Sequence, residues 1–432
     1  MRFLSFVIVV VILLSVHVPA AAQIPGQATC PAIVEDALEQ IDQNCANMGR
    51  NSACYGYNLV RSAFFTEKPE DYFAIPAAQE PLIEFQSIET TPLDIDGETW
   101  GVALLNVQAN VPGTLPGQGV VFILMGQAGV ENAVAPEDAV DVGVVTASVA
   151  STTNANLRSG PGTNFNVVGA AQAGIALEAD GLSADGEWLR VLAEDAPAWI
   201  NRSLVTVVEG NPDELPVITD ESRSPMQAFY FTGGLGDAGC SEAPDMLAIQ
   251  GPGNVRVSLN VNGADIEIGS TVILRQTEDD TLEIMVLDGF AVVDGVEIPA
   301  GVVGTVETSE DGTIVAPPTT EQLRPIQLPD QQFTAILEQL PSDIINYNII
   351  IPTLEFGELA YQNWLDGVRL SEAESSGGTN AEGGGENAGA GTGEGEAEVT
   401  CEQLQARMDT IETDDAEAYA AVIAEFLRLG CE

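Results

Sequence analysis

The stretch NLRSGPGTNF at residues 156–165 restricts the local fold more tightly than any other part of the chain. Pro161 fixes its own φ angle and pushes Gly160 towards an extended backbone, while Gly162 can adopt a positive φ. Asn156, Leu157 and Arg158 suit an extended strand, so the chain must reverse directly after them. The stretch therefore predicts a sharp turn between two short strands.

The residues that follow continue this pattern of short strands separated by turns. One strand ends at Gly169, and Asp180–Gly181 marks a turn. The segments GEWLRVL (186–192) and AWINRSLV (198–205) alternate in the manner of strands. Strands this short and regular, over roughly 60 residues, predict a small barrel.

The order and spacing of these elements resemble the bacterial SH3-like (SH3b) family over residues 146–208. The resemblance implies a domain of extracellular or periplasmic proteins that often binds cell-wall peptides or glycans. It implies that Trp188 and Trp199 are core residues rather than a ligand platform. Arg158 is expected to stabilise the turn as a hydrogen-bond donor rather than to contact a ligand. The motif residues, mostly structural on this interpretation, are Asn156, Arg158, Gly160, Pro161, Gly162, Gly169, Trp188 and Trp199.

The first 22 residues predict an export signal. Arg2 precedes the uncharged apolar stretch 3–16, and small residues end the segment at Ala22, where we place the cleavage site. An uncleaved anchor is the alternative. No second run of about 18 apolar residues occurs, so we expect a protein that is secreted, periplasmic or at the cell surface, with no membrane span after cleavage.

Charge and histidine content restrict the function. The chain has 65 acidic and 14 basic residues, a net charge of −51, so it should repel nucleic acids and anionic lipids and attract divalent cations only loosely. The single histidine, His17, lies in the signal. The mature chain therefore lacks Ser-His-Asp and Cys-His nucleophiles and histidine-containing metal sites. We predict no cofactor and no metal.

The cysteine count is even and the expected compartment is oxidising, so disulfides are predicted. Cys401 and Cys431 bracket a helical tail and are predicted to pair with each other. If all cysteines are oxidised, one N-terminal cysteine must then reach Cys240. The candidates are Cys30, Cys45, Cys54, Cys240, Cys401 and Cys431.

We predict a multi-domain, mainly β fold with small helical modules: an SH3-like barrel, a second β-rich domain and a C-terminal helical hairpin. The stripe Val34, Leu38 and Ile41 predicts a helix, and a second short helix is predicted to carry Tyr55, Leu59 and Val60. In the second β domain, Asn262–Gly263 lies between alternating strands and predicts a hairpin. Its glycine-punctuated pattern at about 245–315 faintly resembles FecR-type β domains.

The predicted divisions are a signal peptide (1–22), an N-terminal helical plus β-rich module (30–145), the barrel (146–208), a linker (209–226), the FecR-like domain (227–320), a mixed α and irregular segment (321–370), a Gly/Glu-rich flexible linker (371–399) and a disulfide-clamped helical hairpin (400–432).

The many acidic residues suggest two alternatives, a calcium-binding loop and a carboxylate-based enzyme. The sequence DIDGE at 94–98 lacks the spacing of an EF-hand loop and favours a hairpin turn. Because acidic residues are abundant, a carboxylate-only glycan hydrolase stays an alternative without a defined site. The sequence predicts a non-catalytic envelope protein that binds cell-wall material or an extracellular protein. A cell-surface scaffold with no wall ligand is the main alternative.

Overall fold

The computed structural model describes residues 30–109, 113–116, 118–193, 196–233, 243–252, 255–277 and 281–377. In this part of the chain there are three β-sheets and three α-helices, so the fold is mainly β, as predicted. The predicted signal peptide, Cys240 and the predicted helical hairpin with Cys401 and Cys431 lie outside the described residues. No helix among the described residues is long and apolar enough to span a membrane.

The N-terminal region consists of one helix and seven strands. Helix α1 (Cys30–Cys45) forms where the apolar stripe predicted it, and Ile33, Val34, Ala37 and Ile41 are buried. The strands are β1 (Ser52–Tyr57), β2 (Val60–Phe64), β3 (Gln79–Pro81), β4 (Phe85–Thr90), β5 (Val102–Gln108), β6 (Gly119–Met125) and β7 (Ala128–Asn132).

The prediction of a second short helix around Tyr55 and Leu59 is wrong, because these residues belong to β1 and to the turn before β2. All six residues of β1 are buried, so the strand shows no alternation of polar and apolar residues. A short apolar run of this kind does not distinguish a helix from a buried strand. Leu59 has a φ of 62°, which ends any regular element between β1 and β2.

The middle of the chain forms a separate seven-stranded sheet with its own apolar core, which includes Val149, Leu189, Val191 and Ile200. This sheet is called the barrel below. Its strands are β8 (Ala147–Ser151), β9 (Ala155–Arg158), β10 (Val167–Ala171), β11 (Ala176–Leu182), β12 (Trp188–Leu192), β13 (Pro197–Asn201) and β14 (Val205–Glu209).

Ten strands and two helices follow the barrel. The strands are β15 (Ala228–Gly233), β16 (Met246–Gln250), β17 (Val257–Val261), β18 (Ala264–Ile268), β19 (Thr271–Thr277), β20 (Thr281–Asp288), β21 (Phe290–Val293), β22 (Val296–Pro299), β23 (Val302–Glu307) and β24 (Leu323–Pro325). The helices are α2 (Leu328–Thr334) and α3 (Leu354–Gly377). Helix α3 contacts β22, β23 and β24, and it extends past residue 371, where the flexible linker was predicted to begin.

The strands before and after the barrel form one β-sandwich. The first sheet has the order β24-β23-β20-β19-β16-β6-β5-β1-β3, and the second has the order β2-β4-β7-β15-β17-β18-β21-β22. The N-terminal and C-terminal strands meet at the antiparallel pairs β6–β16 and β7–β15. The modules predicted at 30–145 and 227–320 therefore share both sheets and one core, in which Phe85, Phe122 and Phe229 are fully buried.

The outer face of the first sheet is covered as well. Helix α1 and the segment after β24, including Ile336 and Leu340, pack on it in a second apolar cluster. Trp100 is fully buried in this cluster. Both faces of the first sheet are thus buried, which accounts for the long uninterrupted apolar sequence of β6.

The sandwich contains an internal duplication. Strands β1, β5 and β6 are neighbours in the first sheet, while β2, β4 and β7 are neighbours in the second. The later strands repeat this arrangement. In the first sheet, β16, β19 and β20 correspond to β1, β5 and β6, and in the second sheet, β17, β18 and β21 correspond to β2, β4 and β7. These two groups are called repeat 1 and repeat 2. Each is followed by a return strand, β15 pairing with β7 and β22 pairing with β21.

The barrel is inserted in repeat 1 at the turn before the return strand. Residues 133–227 connect β7 to β15, whereas the two residues Asp294–Gly295 connect β21 to β22. We call residues 133–146 the entry arm and residues 210–227 the exit arm. The arms run side by side, since Val140 N donates to the Arg223 carbonyl at 2.8 Å.

The exit arm covers most of the segment predicted as a linker, residues 209–226. It carries a short 3-10 turn at Pro212–Glu214 and lies against the barrel, where Leu182 and Val217 form a parallel bridge. At its other end Met226 is fully buried in the sandwich core. The arm is thus packed at both ends, against the barrel and against the sandwich.

Candidate functional site

A groove of about 390 Å³ lies on the barrel at the start of β9. The turn after β9, the start of β12 and the end of β13 form its walls. Its lining is composed mainly of amide and hydroxyl side chains around one indole. The lining includes Asn154, Asn156, Arg158, Thr163, Trp188 and Asn201.

One wall of the groove is the turn formed by the SGPGTNF part of the opening motif. Arg158 Nη1 donates to the carbonyl oxygens of Thr163, at 3.1 Å, and Phe165, at 2.7 Å. The Phe165 ring lies over Gly160, where a Cβ atom would come within 2.3 Å of it. Glycine is therefore required at 160 by close approach, and Arg158 holds the shape of the turn.

The remaining motif residues lie in the strands and turn that support the groove. Gly169 pairs with Leu157 between β10 and β9, and Pro161 and Gly162 lie in the turn itself. Asn156 is exposed on β9 and lines the groove. These positions keep the groove wall close to the sheet.

The two tryptophans are buried, with exposed fractions of 6% for Trp188 and 3% for Trp199. Both pack with Val142 of the entry arm and Ile218 of the exit arm in a small apolar cluster. Trp188 also lines the groove, whereas Trp199 is not among the lining residues. The sequence did not reveal that the arms cover these rings, because single apolar residues such as Val142 and Ile218 in irregular segments do not specify what they pack against.

Two asparagines of the groove, Asn154 and Asn201, have their side-chain oxygens engaged within the barrel. Asn154 Oδ1 accepts from Ala173 N at 3.1 Å, and Asn201 Oδ1 accepts from Ser203 N at 3.0 Å. A backbone N–H can only donate, so these bonds identify the oxygen of each amide. Neither residue was predicted from the sequence, although Asn201-Arg202-Ser203 is typical of an Asx turn.

Charge is distributed unevenly between the groove and the rest of the molecule. Arg158 is the one ionisable residue among those lining the groove in the described part of the chain. Residues 146–208 contain six acidic and three basic residues, compared with 65 and 14 in the whole chain. The groove lining thus carries one cationic group and, among the described residues, no acidic one, on a strongly anionic protein.

A buried ion pair lies between the barrel and the sandwich. Arg190 Nη1 and Asp180 Oδ2 are 2.7 Å apart, and both side chains are fully buried. Arg190 Nη2 also donates to the carbonyl of Thr114, a residue of the sandwich. Burial raises the pKa of Asp180 and lowers the pKa of Arg190. The pair therefore ties the barrel to the sandwich rather than forming part of the groove.

The other candidate sites have structural roles. In the predicted DIDGE turn, Asp94 Oδ1 accepts from Gly97 N at 3.0 Å, and Asp94 pairs with Thr99. Within the described ranges, no group of three or more His, Cys, Asp or Glu residues is arranged to hold a metal ion.

One disulfide lies wholly within the described chain. Cys45 and Cys54 are bonded to each other and connect the end of α1 to β1. Cys30 is also disulfide-bonded. None of the three described cysteines is free.

The family comparison agrees with the geometry of the barrel. A family model described as "Bacterial SH3 domain" matches residues 153–206, which span most of the barrel. No curated protein and no solved structure matches the chain. The chain thus contains a bacterial SH3 domain, a typical cell-wall binding module, inserted in a β-sandwich. The resemblance of residues 245–315 to FecR-type domains stays a prediction.

Proposed function

We propose that this protein is a non-catalytic, extracytoplasmic envelope protein whose bacterial SH3 domain binds cell-wall peptide in the groove beside Trp188. The observation that supports it best is the chemistry of the groove. One indole and several amide and hydroxyl groups lie together with a single arginine and no acidic residue among the described lining. Such a surface suits the polar, uncharged backbone of a peptide or glycan.

Direct recognition is preferred to bridging by a divalent cation. A bridging cation is held best by carboxylate ligands on the protein, and no carboxylate lines the groove in the described part of the chain. The proposal therefore includes no cofactor and no metal, and binding should persist in a chelator.

A cell-surface scaffold without a wall ligand is the second candidate. Its support comes from exposed valines on both edge strands of the barrel, Val167 and Val168 of β10 and Val207 and Val208 of β14. Exposed apolar edges are suited to contact with another protein. A carboxylate-based glycan hydrolase is the third candidate and has no supporting cluster of residues.

Co-sedimentation with purified cell-wall sacculi distinguishes these functions. The full chain is compared with the double variant Asn156→Ala/Thr163→Ala, which changes two groove residues. The matched control is Gln172→Ala/Thr206→Ala, which changes two exposed polar residues of the same barrel outside the groove.

We expect the full chain and the control to sediment with sacculi in chelator, and the groove variant to stay largely in the supernatant. Equal sedimentation of all three proteins would contradict the groove as the site. Absence of sedimentation for the full chain would favour the scaffold, and release of soluble glycan fragments would favour the hydrolase.

A further inference from the structure

We infer that the groove recognises a peptide carboxylate, held by the guanidinium of Arg158 and by the amide nitrogens of Asn154 and Asn201. The inference rests on the proposed function and specifies the ligand group. It follows from which polar atoms of the groove are already engaged within the barrel and which are left for a ligand.

Arg158 uses only one of its three nitrogens to hold the turn. Nη1 donates to the carbonyls of Thr163 and Phe165, whereas Nε and Nη2 have no hydrogen-bond or ion-pair partner among the described residues. The side chain is half-buried and lines the groove. Because Nη1 is fixed, the other two donors are held in place, as pairing with a carboxylate requires.

The asparagines add donors of known identity. The oxygens of Asn154 and Asn201 accept backbone N–H bonds from Ala173 and Ser203, so the atom that each has left for a ligand is Nδ2. At Asn154, Arg158 and Asn201 the side-chain atoms left for a ligand are therefore all donors. A ligand that fits this arrangement brings acceptor oxygens.

Charge selects among such ligands. A neutral carbonyl would satisfy the amides, but a carboxylate also satisfies the one cationic group of the groove. The chain as a whole has a net charge of −51, so an anionic ligand is repelled at long range. Local hydrogen bonds must therefore overcome this repulsion, and added salt should weaken the repulsion by screening the charges.

Conversion of the wall carboxylates to amides tests the inference. Sacculi are treated with carbodiimide and ammonia, and mock-treated sacculi serve as the control. The full chain should bind the amidated sacculi roughly tenfold more weakly, the loss of about one charge-assisted bond. Bulk electrostatics predicts the opposite, because removing negative charge from the wall reduces repulsion of an acidic protein.

Two pairs of variants assign the effect to the groove. Asn201→Asp keeps an oxygen for Ser203 N but removes Nδ2, and Asn166→Asp makes the same change at an exposed residue outside the groove. Arg158→Gln removes the cation from the groove. Its control, Arg202→Gln, removes a cation from another part of the same barrel, where Arg202 pairs with Asp213. Circular dichroism and melting curves establish that each variant is folded.

We expect Asn201→Asp and Arg158→Gln to lose binding to untreated sacculi, while Asn166→Asp and Arg202→Gln bind like the full chain. Equal or stronger binding to amidated sacculi, still abolished by Asn156→Ala/Thr163→Ala, would overturn the carboxylate inference and leave the proposed function intact. Loss of binding to both kinds of sacculi by the full chain would contradict the proposed function itself.

Discussion

Repeat 1 and repeat 2 use the same strand order, but they differ at one turn. In repeat 2, Asp294 and Gly295 connect β21 to its return strand, and both have positive φ, at 45° and 87°. In repeat 1 the same position holds the arms and the barrel, residues 133–227. A turn that needs only two residues thus also accommodates a whole bacterial SH3 domain.

The difference teaches that a whole domain can be added at a single turn while the strand order of the repeat stays the same. The ends of an antiparallel pair lie close together, so an inserted domain with adjacent termini does not separate the strands. The barrel meets this condition, because a Cβ atom on Gly210 would lie 2.9 Å from the Thr146 carbonyl oxygen. The duplicated sandwich then acts as the support for the domain.

Removal of the barrel should have the largest effect on binding. Deleting residues 147–209 and joining Thr146 to Gly210 through two glycines should abolish sedimentation with sacculi and leave a folded sandwich. Its melting temperature should fall, since Val142 and Ile218 lose the tryptophans they pack against. The control adds two glycines between Asp294 and Gly295 and should keep full binding. A deletion variant without a cooperative melt would contradict the independence of the sandwich.

The largest single-residue effect on stability is expected for Arg190→Met. The change leaves Asp180 buried without its partner cation, which should cost about 3–5 kcal/mol of unfolding free energy. Denaturant titration measures it. Replacing both partners, Arg190→Met with Asp180→Leu, should recover most of the loss. A cost below about 1 kcal/mol for the single variant would be typical of an exposed pair and inconsistent with burial.

The disulfide distinguishes repeat 1 from repeat 2, because β16, which corresponds to β1, carries no cysteine. Cys45→Ala/Cys54→Ala opens a loop with a sequence separation of 9. The chain-entropy relation gives a loss of about 2–3 kcal/mol in unfolding free energy. Urea denaturation under oxidising conditions tests it, and binding to sacculi should be retained. A variant as stable as the parent would show that packing and the disulfide of Cys30 hold α1 without the Cys45–Cys54 bond.

The smallest effect is expected where the two repeats meet. Asp245 precedes β16, its Oδ1 accepts from Gln127 N at 2.7 Å, and its Oδ2 is buried without a partner. Burial raises the pKa of Asp245, so its ionisation lowers stability as pH rises above the ordinary carboxyl pKa and up to the folded-state pKa. The substitution Asp245→Asn keeps an acceptor oxygen for Gln127 N and removes the charge.

Asp245→Asn should therefore raise the melting temperature slightly at about pH 8, and the difference should vanish at about pH 3, where both chain states are protonated. Thermal melts across this range measure it. Asp311→Asn on an exposed turn is a contrasting control, because hydrogen bonds from Ser309 and Thr313 lower the pKa of Asp311. A gain for Asp245→Asn that grew on acidification would contradict the burial argument.

The sequence predicted most of the barrel because its information is local, although Asp180–Gly181 lies at a bulge inside β11 and not at the predicted turn. The turn at Gly160–Pro161–Gly162 and the Trp188 and Trp199 strands lie within about 60 residues, where turn chemistry alone restricts the path. The groove was only partly predictable. Asn156 and Arg158 belong to the motif, whereas the roles of Asn154 and Asn201 depend on hydrogen bonds to Ala173 and Ser203.

The sandwich could not be predicted because its decisive contacts are distant in sequence. Strands β6 and β16 pair Met125 with Met246, and nothing in either segment specifies the other. The predicted division into two β modules followed the order of the chain, with the barrel between them. The structure instead closes both modules around one core, so the barrel interrupts a sheet that continues beyond it.

The position of the barrel also determines how the molecule would respond to mechanical force. Both arms leave the sandwich from the same end of the β7–β15 pair, at Asn132 and Phe229. A pull on a ligand held by the barrel would draw both arms in the same direction, so the Val140–Arg223 contact and the β7–β15 ladder would move together and stay closed. The force would instead act in shear on the flanking pairs, β7 with β4 and β15 with β17. The two strands would therefore share the load rather than separate from each other.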